Sequence, residues 1–235
     1  MSKYLVIGDS FAYLDPEHSH WFNIWAEKND STSTHFSCRG SNCVNITNQF
    51  KDVAFTDYDA VIYHPTHLLR TQINRKGIQT EDIKIKKILT PILSEQDQLV
   101  GTELEGYYEV NEVSINLIGK DDQITSTYKN LNLDWLARAN YFAMSYLFEL
   151  IKKCNIPLIT VSSINDSQWS YKMPKTVDYN FQLWKMFLKY DPIYKHIDLN
   201  TESNNHWNLT SHTQIAEQFD YFVQKDDKIK TLLNK

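Results

Sequence analysis

The chain has 235 residues, of which 42% are hydrophobic and 13% aromatic, so a packed core is expected rather than disorder along its length. Its formal charge of -5 comes from 29 acidic and 24 basic residues that are interspersed, which leaves no broad positive field to hold a phosphate backbone and argues against a nucleic-acid partner. No apolar run approaches the roughly 20 residues of a membrane span, and no signal-peptide pattern precedes the first strand. Cys38, Cys43 and Cys154 are an odd, sparse set that suits free thiols in a reducing compartment, so the expectation is a cytoplasmic protein without a membrane partner.

Tyr4 to Ile7 is a short, continuously apolar run that predicts a central parallel strand covered on both faces, ending in Gly8-Asp9-Ser10. Ile24 and Trp25, three and four residues after Trp21, predict an amphipathic helix that closes at Lys28-Asn29-Asp30. A second strand is expected near Thr34 to Ser37, leading into Arg39-Gly40-Ser41-Asn42, and Val44 to Phe50 reads as helix. Ala60 to Tyr63 is a third buried strand that ends at His64-Pro65-Thr66-His67. From about residue 71 to 133 the pattern loosens and reads as an insertion. A helix carrying Ile83, Ile85, Ile88, Leu89, Ile92 and Leu93 and a hairpin between Tyr107 and Ile118 are expected within it.

Order returns with a wide apolar stripe through Trp135, Leu136, Phe142, Ala143, Tyr146, Leu147, Leu150 and Ile151, a helix that stops before Pro157. Leu158 to Val161 predicts the next core strand, and Ser162 to Lys175 a polar loop. Tyr179 to Leu188 and Leu209 to Phe222 read as helices, followed by a charged tail. The succession strand, helix, strand, helix, strand implies right-handed crossovers. The expected fold is therefore a single α/β domain over residues 1–235, with a doubly wound parallel sheet between two helical layers.

In such a sheet the carboxyl ends of the strands face a crevice where loops carry function. Gly8-Asp9-Ser10, Gly40-Ser41-Asn42 and His64-Pro65-Thr66-His67 all follow strands, and His206 stands just before the final helix. Gly8-Asp9-Ser10-Phe11 after an N-terminal strand resembles the first block of the SGNH/GDSL hydrolase family, and Asn205-His206-Trp207-Asn208-Leu209 is similar to its last block. The resemblance implies a flavodoxin-like, three-layer fold of the SGNH-hydrolase type. It makes Ser10 the nucleophile, His206 its base, and the N–H groups of Ser10 and Gly40 the oxyanion donors. The implied activity is cleavage of an acyl ester, with an O-acetyl group on a carbohydrate as one substrate class, through an acyl-enzyme on Ser10.

The chemistry is consistent with those residue types. A serine hydroxyl attacks only if a base takes its proton, and an imidazole titrating near neutrality suits that task. Each well-aimed oxyanion donor contributes about 3 to 4 kcal/mol, and glycine lets the backbone approach closely. Two positions depart from the family pattern. Its third block usually supplies an Asn donor, where this chain offers Thr66 or His67. Its last block usually carries an Asp that orients the histidine, where this chain has Ser203 and Asn204. A neutral Asn204 can orient the ring yet stabilises the imidazolium less, so a Ser-His dyad operates, or Glu202 reaches across, or activity is low.

Asp9, Thr66 and Arg70 complete the candidate substrate contacts. Blander readings stand beside these: Ser10 and Asp9 as turn residues, His206 and His212 as packing for the last helix, Arg70 as a solvated cation. His64 and His67 with His206, or the Cys38 and Cys43 pair, are conceivable metal ligands. Neither set has the spacing or carboxylate company of a recognised site, so no metal and no cofactor is expected. A drifted, non-catalytic relative that keeps the fold as a binding or structural protein is the alternative function.

Overall fold

A computed structural model describes residues 1–8, 12, 14, 20–37, 42–66, 68, 71–74, 92–93, 98–100, 107–110, 132–162, 173–182 and 209–234. Its elements are β1 (Lys3–Gly8), α1 (Trp21–Lys28), β2 (Thr32–Ser37), α2 (Cys43–Phe50), a single 3-10 turn (Phe55–Asp57), β3 (Ala60–His64), β4 (Thr71–Asn74), β5 (Ile92–Leu93), β6 (Gln98–Val100), β7 (Tyr107–Val110), α3 (Leu133–Lys153), β8 (Leu158–Ser162), β9 (Tyr179–Gln182), α4 (Leu209–Lys225) and α5 (Asp227–Leu232).

The main sheet has the order β5-β6-β2-β1-β3-β8-β9. Apart from β5, every strand in it pairs parallel to its neighbours. Counting β1, β2, β3, β8 and β9 as the first to fifth core strands, the order is 2-1-3-4-5, the flavodoxin-like doubly wound arrangement. Its direction of winding reverses between β1 and β3. The α/β fold read from the strand-helix alternation is the fold observed.

Strand alternation divides the core into two layers. Tyr4, Val6, Ala60, Ile62, Ile159 and Val161 face one side and pack with Trp21, Phe22 and Trp25 of α1, Ile215, Phe219 and Phe222 of α4, and Ile229 of α5. Leu5, Ile7, Phe36, Val61, Tyr63 and Leu158 face the other side, against Ile46 and Phe50 of α2 and Met144, Leu147, Phe148 and Ile151 of α3. Continuous apolar runs in β1 and β3 follow from this double coverage.

Side chains that suit their positions end the helices. Asn42 accepts from the Asn45 N–H at 2.9 Å and Asn132 from the Trp135 N–H at 3.0 Å, each satisfying an otherwise orphaned donor of a first turn. Asn155, at φ 57°, turns the chain out of α3 in the left-handed conformation that Asn tolerates, before Pro157.

Four expectations are corrected. Tyr179 to Gln182 is a strand, not the start of a helix. The Asp178 carboxylate accepts from the Leu158 N–H at 2.9 Å and from Lys152 Nζ at 2.7 Å, and Thr160 Oγ1 donates to Asn180 Oδ1 at 2.9 Å, so the segment is tied edge-on to β8. Ile92 and Leu93 form a short strand antiparallel to β6, while residues 83–91 lie outside the described residues. Tyr107–Val110 pairs antiparallel with Thr71–Asn74, a partner too distant in sequence for local periodicity to reveal; residues 111–118 lie outside the described residues. The charged tail contains α5, whose Ile229 and the following Leu233 are fully buried. The buried Tyr4 hydroxyl donates to the Leu233 carbonyl at 2.7 Å, and burial raises that phenol above its ordinary pKa.

Phe219 is the centre of the α1–α4 layer, with ring centroids 5.0 Å from both Trp21 and Trp25 and no exposed surface. Phe219→Ala is expected to cost about 3–5 kcal/mol in urea unfolding. Trp135→Ala, at a position 68% exposed on α3, should stay within about 0.5 kcal/mol of the parent.

Candidate functional site

Parallel pairing sets Gly8 of β1 opposite Ser37 of β2 on one side and His64 of β3 on the other. The segments that begin at residues 9, 38 and 65 therefore leave three adjacent strands abreast, at the carboxyl edge where the winding reverses and ligands of this architecture bind. Gly8 makes the arrangement possible. A Cβ there would lie 2.5 Å from the His64 carbonyl oxygen and 2.7 Å from His64 Cβ, so only a glycine lets these strand ends stand so close.

Each segment is anchored where it is described. In the β1–α1 connection, Ala12 and Leu14 are buried, and the Ala12 carbonyl accepts from His35 Nδ1 at 3.0 Å. The β2–α2 connection runs from buried Ser37 to buried Asn42, the cap of α2. After β3, Thr66 and Leu68 are buried, and the Leu68 carbonyl accepts from Nδ2 of the fully buried Asn140 of α3 at 2.8 Å.

Beneath this edge lies a cluster of four histidines. His20 precedes α1, His35 is in β2, His64 ends β3 and His212 is in the first turn of α4. The His20 ring lies 4.6 Å from that of His35, 5.5 Å from that of His64 and 5.5 Å from that of His212, centroid to centroid. His20 Nδ1 accepts from the Phe22 N–H and His212 Nδ1 from the Trp21 N–H, both at 3.1 Å. Since an accepting nitrogen carries no proton, these two rings cap the start of α1 and bind it to the start of α4. His64 is held neutral: burial, the largest cause, lowers it to about 3.

Of the residues singled out in the sequence, Thr66 is described. It is 1% exposed, and its Oγ1 has no hydrogen-bond partner among the described residues. Asp9, Ser10, Gly40, His67, Arg70, Asn204 and His206 lie outside the described residues, as do Cys38, Glu202 and Ser203. His64, read from sequence as a loop residue, is the last residue of β3 and fully buried. Among the described residues no three His, Cys, Asp or Glu side chains stand where they could hold a metal ion. Cys43 packs in the α2–α3 layer, and no described helix is long and apolar enough to cross a membrane. Sequence reading missed the histidine cluster. Its signal was strand alternation, which puts Ser33, His35 and Ser37 on one face of β2, the same face that Ala60, Ile62 and His64 occupy on β3.

No model of a known protein family and no curated protein matches the chain. Among solved structures, it is similar to a protein from Desulfitobacterium hafniense DCB-2 assigned to the lipolytic G-D-S-L family, with 11% identity, 94% of this chain and 99% of that chain covered, and a TM-score of 0.49.

Two stability measurements check this geometry. Gly8→Ala should lower unfolding stability by about 1–3 kcal/mol, because His64 backbone must move to admit the methyl group. His64 is depressed in the folded chain and ordinary in the unfolded one, so the unfolded state binds more protons as the medium is acidified. Its stabilising contribution is whole above about pH 6.5 and drains away as the pH falls towards 3. Against His64→Gln, the parent should lose about 1.4 kcal/mol more per pH unit between pH 6 and 4. Parallel pH dependences of the two proteins would contradict the buried, neutral assignment.

Proposed function

We propose that the chain is a serine ester hydrolase of the SGNH type, in which Ser10 attacks an acyl ester and His206 takes its proton. The observation that carries this reading is the register of Gly8 with Ser37 and His64. It starts the Gly8-Asp9-Ser10, Gly40 and Thr66-His67 segments from three neighbouring strand ends, the layout that a nucleophile with two oxyanion donors requires. α4 begins at Leu209, and its first turn is tied to α1 through His212 and Trp21, whose ring lies 5.9 Å from that of His64 at the end of β3.

In the proposed mechanism the Ser10 hydroxyl forms a bond to the acyl carbon while His206 removes its proton. The Ser10 and Gly40 N–H groups receive the charge on the tetrahedral oxygen. Collapse expels the alcohol, which takes the proton back from His206, and water repeats the sequence to free the acid. Asn204 orients the His206 ring as a neutral partner. Thr66 Oγ1 or His67 donates at the position where relatives use Asn; a buried hydroxyl with no partner of its own is suited to a ligand. Asp9 and Arg70 border the substrate, a small-molecule or carbohydrate ester, and an O-acetylated sugar is the class proposed first. The chain acts as a single domain with an insertion at about residues 71–133. No cofactor takes part. The cytoplasm is the proposed compartment.

Hydrolysis of a short-chain aryl ester by the pure protein should fall at least about a thousandfold in Ser10→Ala. Equal rates would remove Ser10 from the mechanism. Thr66→Val should leave stability unchanged or raised, since it deletes an unsatisfied hydroxyl, while lowering kcat about 100-fold. Loss of stability with kcat intact would make Thr66 structural. The uncharged Asn204 and Ser203 favour one second reading, a non-catalytic binding protein on the same fold, which predicts that a fluorophosphonate probe leaves Ser10 unlabelled.

A further inference from the structure

Helix α3 buries one face, where Ala137, Met144, Leu147, Phe148 and Ile151 pack into the core. A second row runs along its outer face. Trp135, Arg138, Phe142, Tyr146, Glu149 and Lys153 are all exposed, Trp135 at 68%, Phe142 at 67% and Tyr146 at 53%. Their spacings of three and four residues average about 3.6, so the row lies straight along the helix axis. Three of the six exposed large hydrophobic side chains among the described residues stand in it, and apolar surface gathered in this way marks a contact site.

The order of the side chains says what the row fits. Phe142 and Tyr146 stand symmetrically about a midpoint near residue 144, as do Arg138 and Glu149, and Trp135 and Lys153. A second copy of the row, turned end for end about a two-fold axis at that midpoint, therefore brings unlike partners together. The Arg138 guanidinium faces the Glu149 carboxylate, the Phe142 ring faces the Tyr146 ring, and the Lys153 ammonium faces the Trp135 indole, each of them twice. Within one helix Arg138 and Glu149 are about 16 Å apart along the axis and Trp135 and Lys153 about 27 Å, so these two complementarities are realised only against another helix. Asp134 meets Arg138 Nε at 2.8 Å, which is compatible with a second carboxylate because a guanidinium carries five N–H donors. Antiparallel helices also oppose their dipoles. A lipid surface fits the row less well, since it would press the Glu149 carboxylate towards anionic headgroups.

We propose that the chain pairs with a second copy of itself through α3, the two helices antiparallel and crossing at the shallow angle of about 20° that lets straight rows meet along their length. Phe142 and Tyr146 form the centre of the contact, and the charged residues flank it. One helix from each copy makes a small interface, so the dimer is reversible, with a dissociation constant on the order of micromolar. The pairing is independent of the esterase reading.

Sedimentation velocity of the full chain from about 1 to 200 μM should show monomer giving way to dimer by mass action. Phe142→Asp should raise the dissociation constant at least about 100-fold. Arg138→Glu and Glu149→Arg each set like charges face to face at two places, so each should raise it about tenfold, and the double charge swap should return it to within about threefold of the parent. Every substitution is on the exposed row, so circular dichroism should show each variant folded like the parent. A chain that stays monomeric over the whole range, or a dimer indifferent to Phe142→Asp, would overturn the proposal. So would single reversals that the double swap does not repair, or a monomer that binds anionic lipid vesicles through the same row.

Discussion

The parallel register at Gly8 is the constraint on which the rest of the molecule depends. With Ser37 on one side and His64 on the other, the last residue of β1 occupies a gap that admits no side chain. Three chain segments then emerge side by side at the point where the winding of the sheet reverses. The two core layers serve the same end. α1 and α4 close one face of the strands and α2 and α3 the other, and the segments between strands and helices are pinned by buried contacts at Ala12, Asn42 and Leu68.

Beneath that edge the protein buries polarity instead of hydrocarbon. Each member of the histidine cluster has a structural place: two accept backbone N–H groups at the start of α1, one ends β3 fully buried, and one sets its Nδ1 against the Ala12 carbonyl. Such networks are costly when incomplete and specify one arrangement when complete. Here they lock the relative positions of α1, α4 and the strand ends, the scaffold that a preorganised site would need.

Much of the fold was legible in the sequence because β1, β3 and β8 are covered on both faces and therefore read as unbroken apolar runs, while α1 and α3 carry apolar residues at helical spacing. The misreadings have a common physical origin. Tyr179 to Gln182 is a strand because Asp178 and Asn180 bind β8, and Tyr107–Val110 is a strand because it meets Thr71–Asn74; both are settled by distant partners that periodicity does not register. The candidate site was legible only as motifs. Ser10, Gly40 and His206 were named by resemblance and His64 as a residue of a strand-end loop, whereas His35 looked like an ordinary polar residue until strand alternation placed it on one buried face with His64. Gly8, read as part of a motif, proved to be required by packing.

The proposed chemistry requires that an alcohol and an imidazole almost two hundred residues apart in sequence meet at one rim of the sheet. The most direct measurement is the distance from Ser10 Oγ to the nearer ring nitrogen of His206 in a crystal structure. A value of about 2.6–3.2 Å, or a somewhat longer one in a crystal without substrate, is the result expected. Separation by the width of the sheet, with the two side chains on opposite faces, would contradict the enzyme reading and leave the 2-1-3-4-5 fold standing.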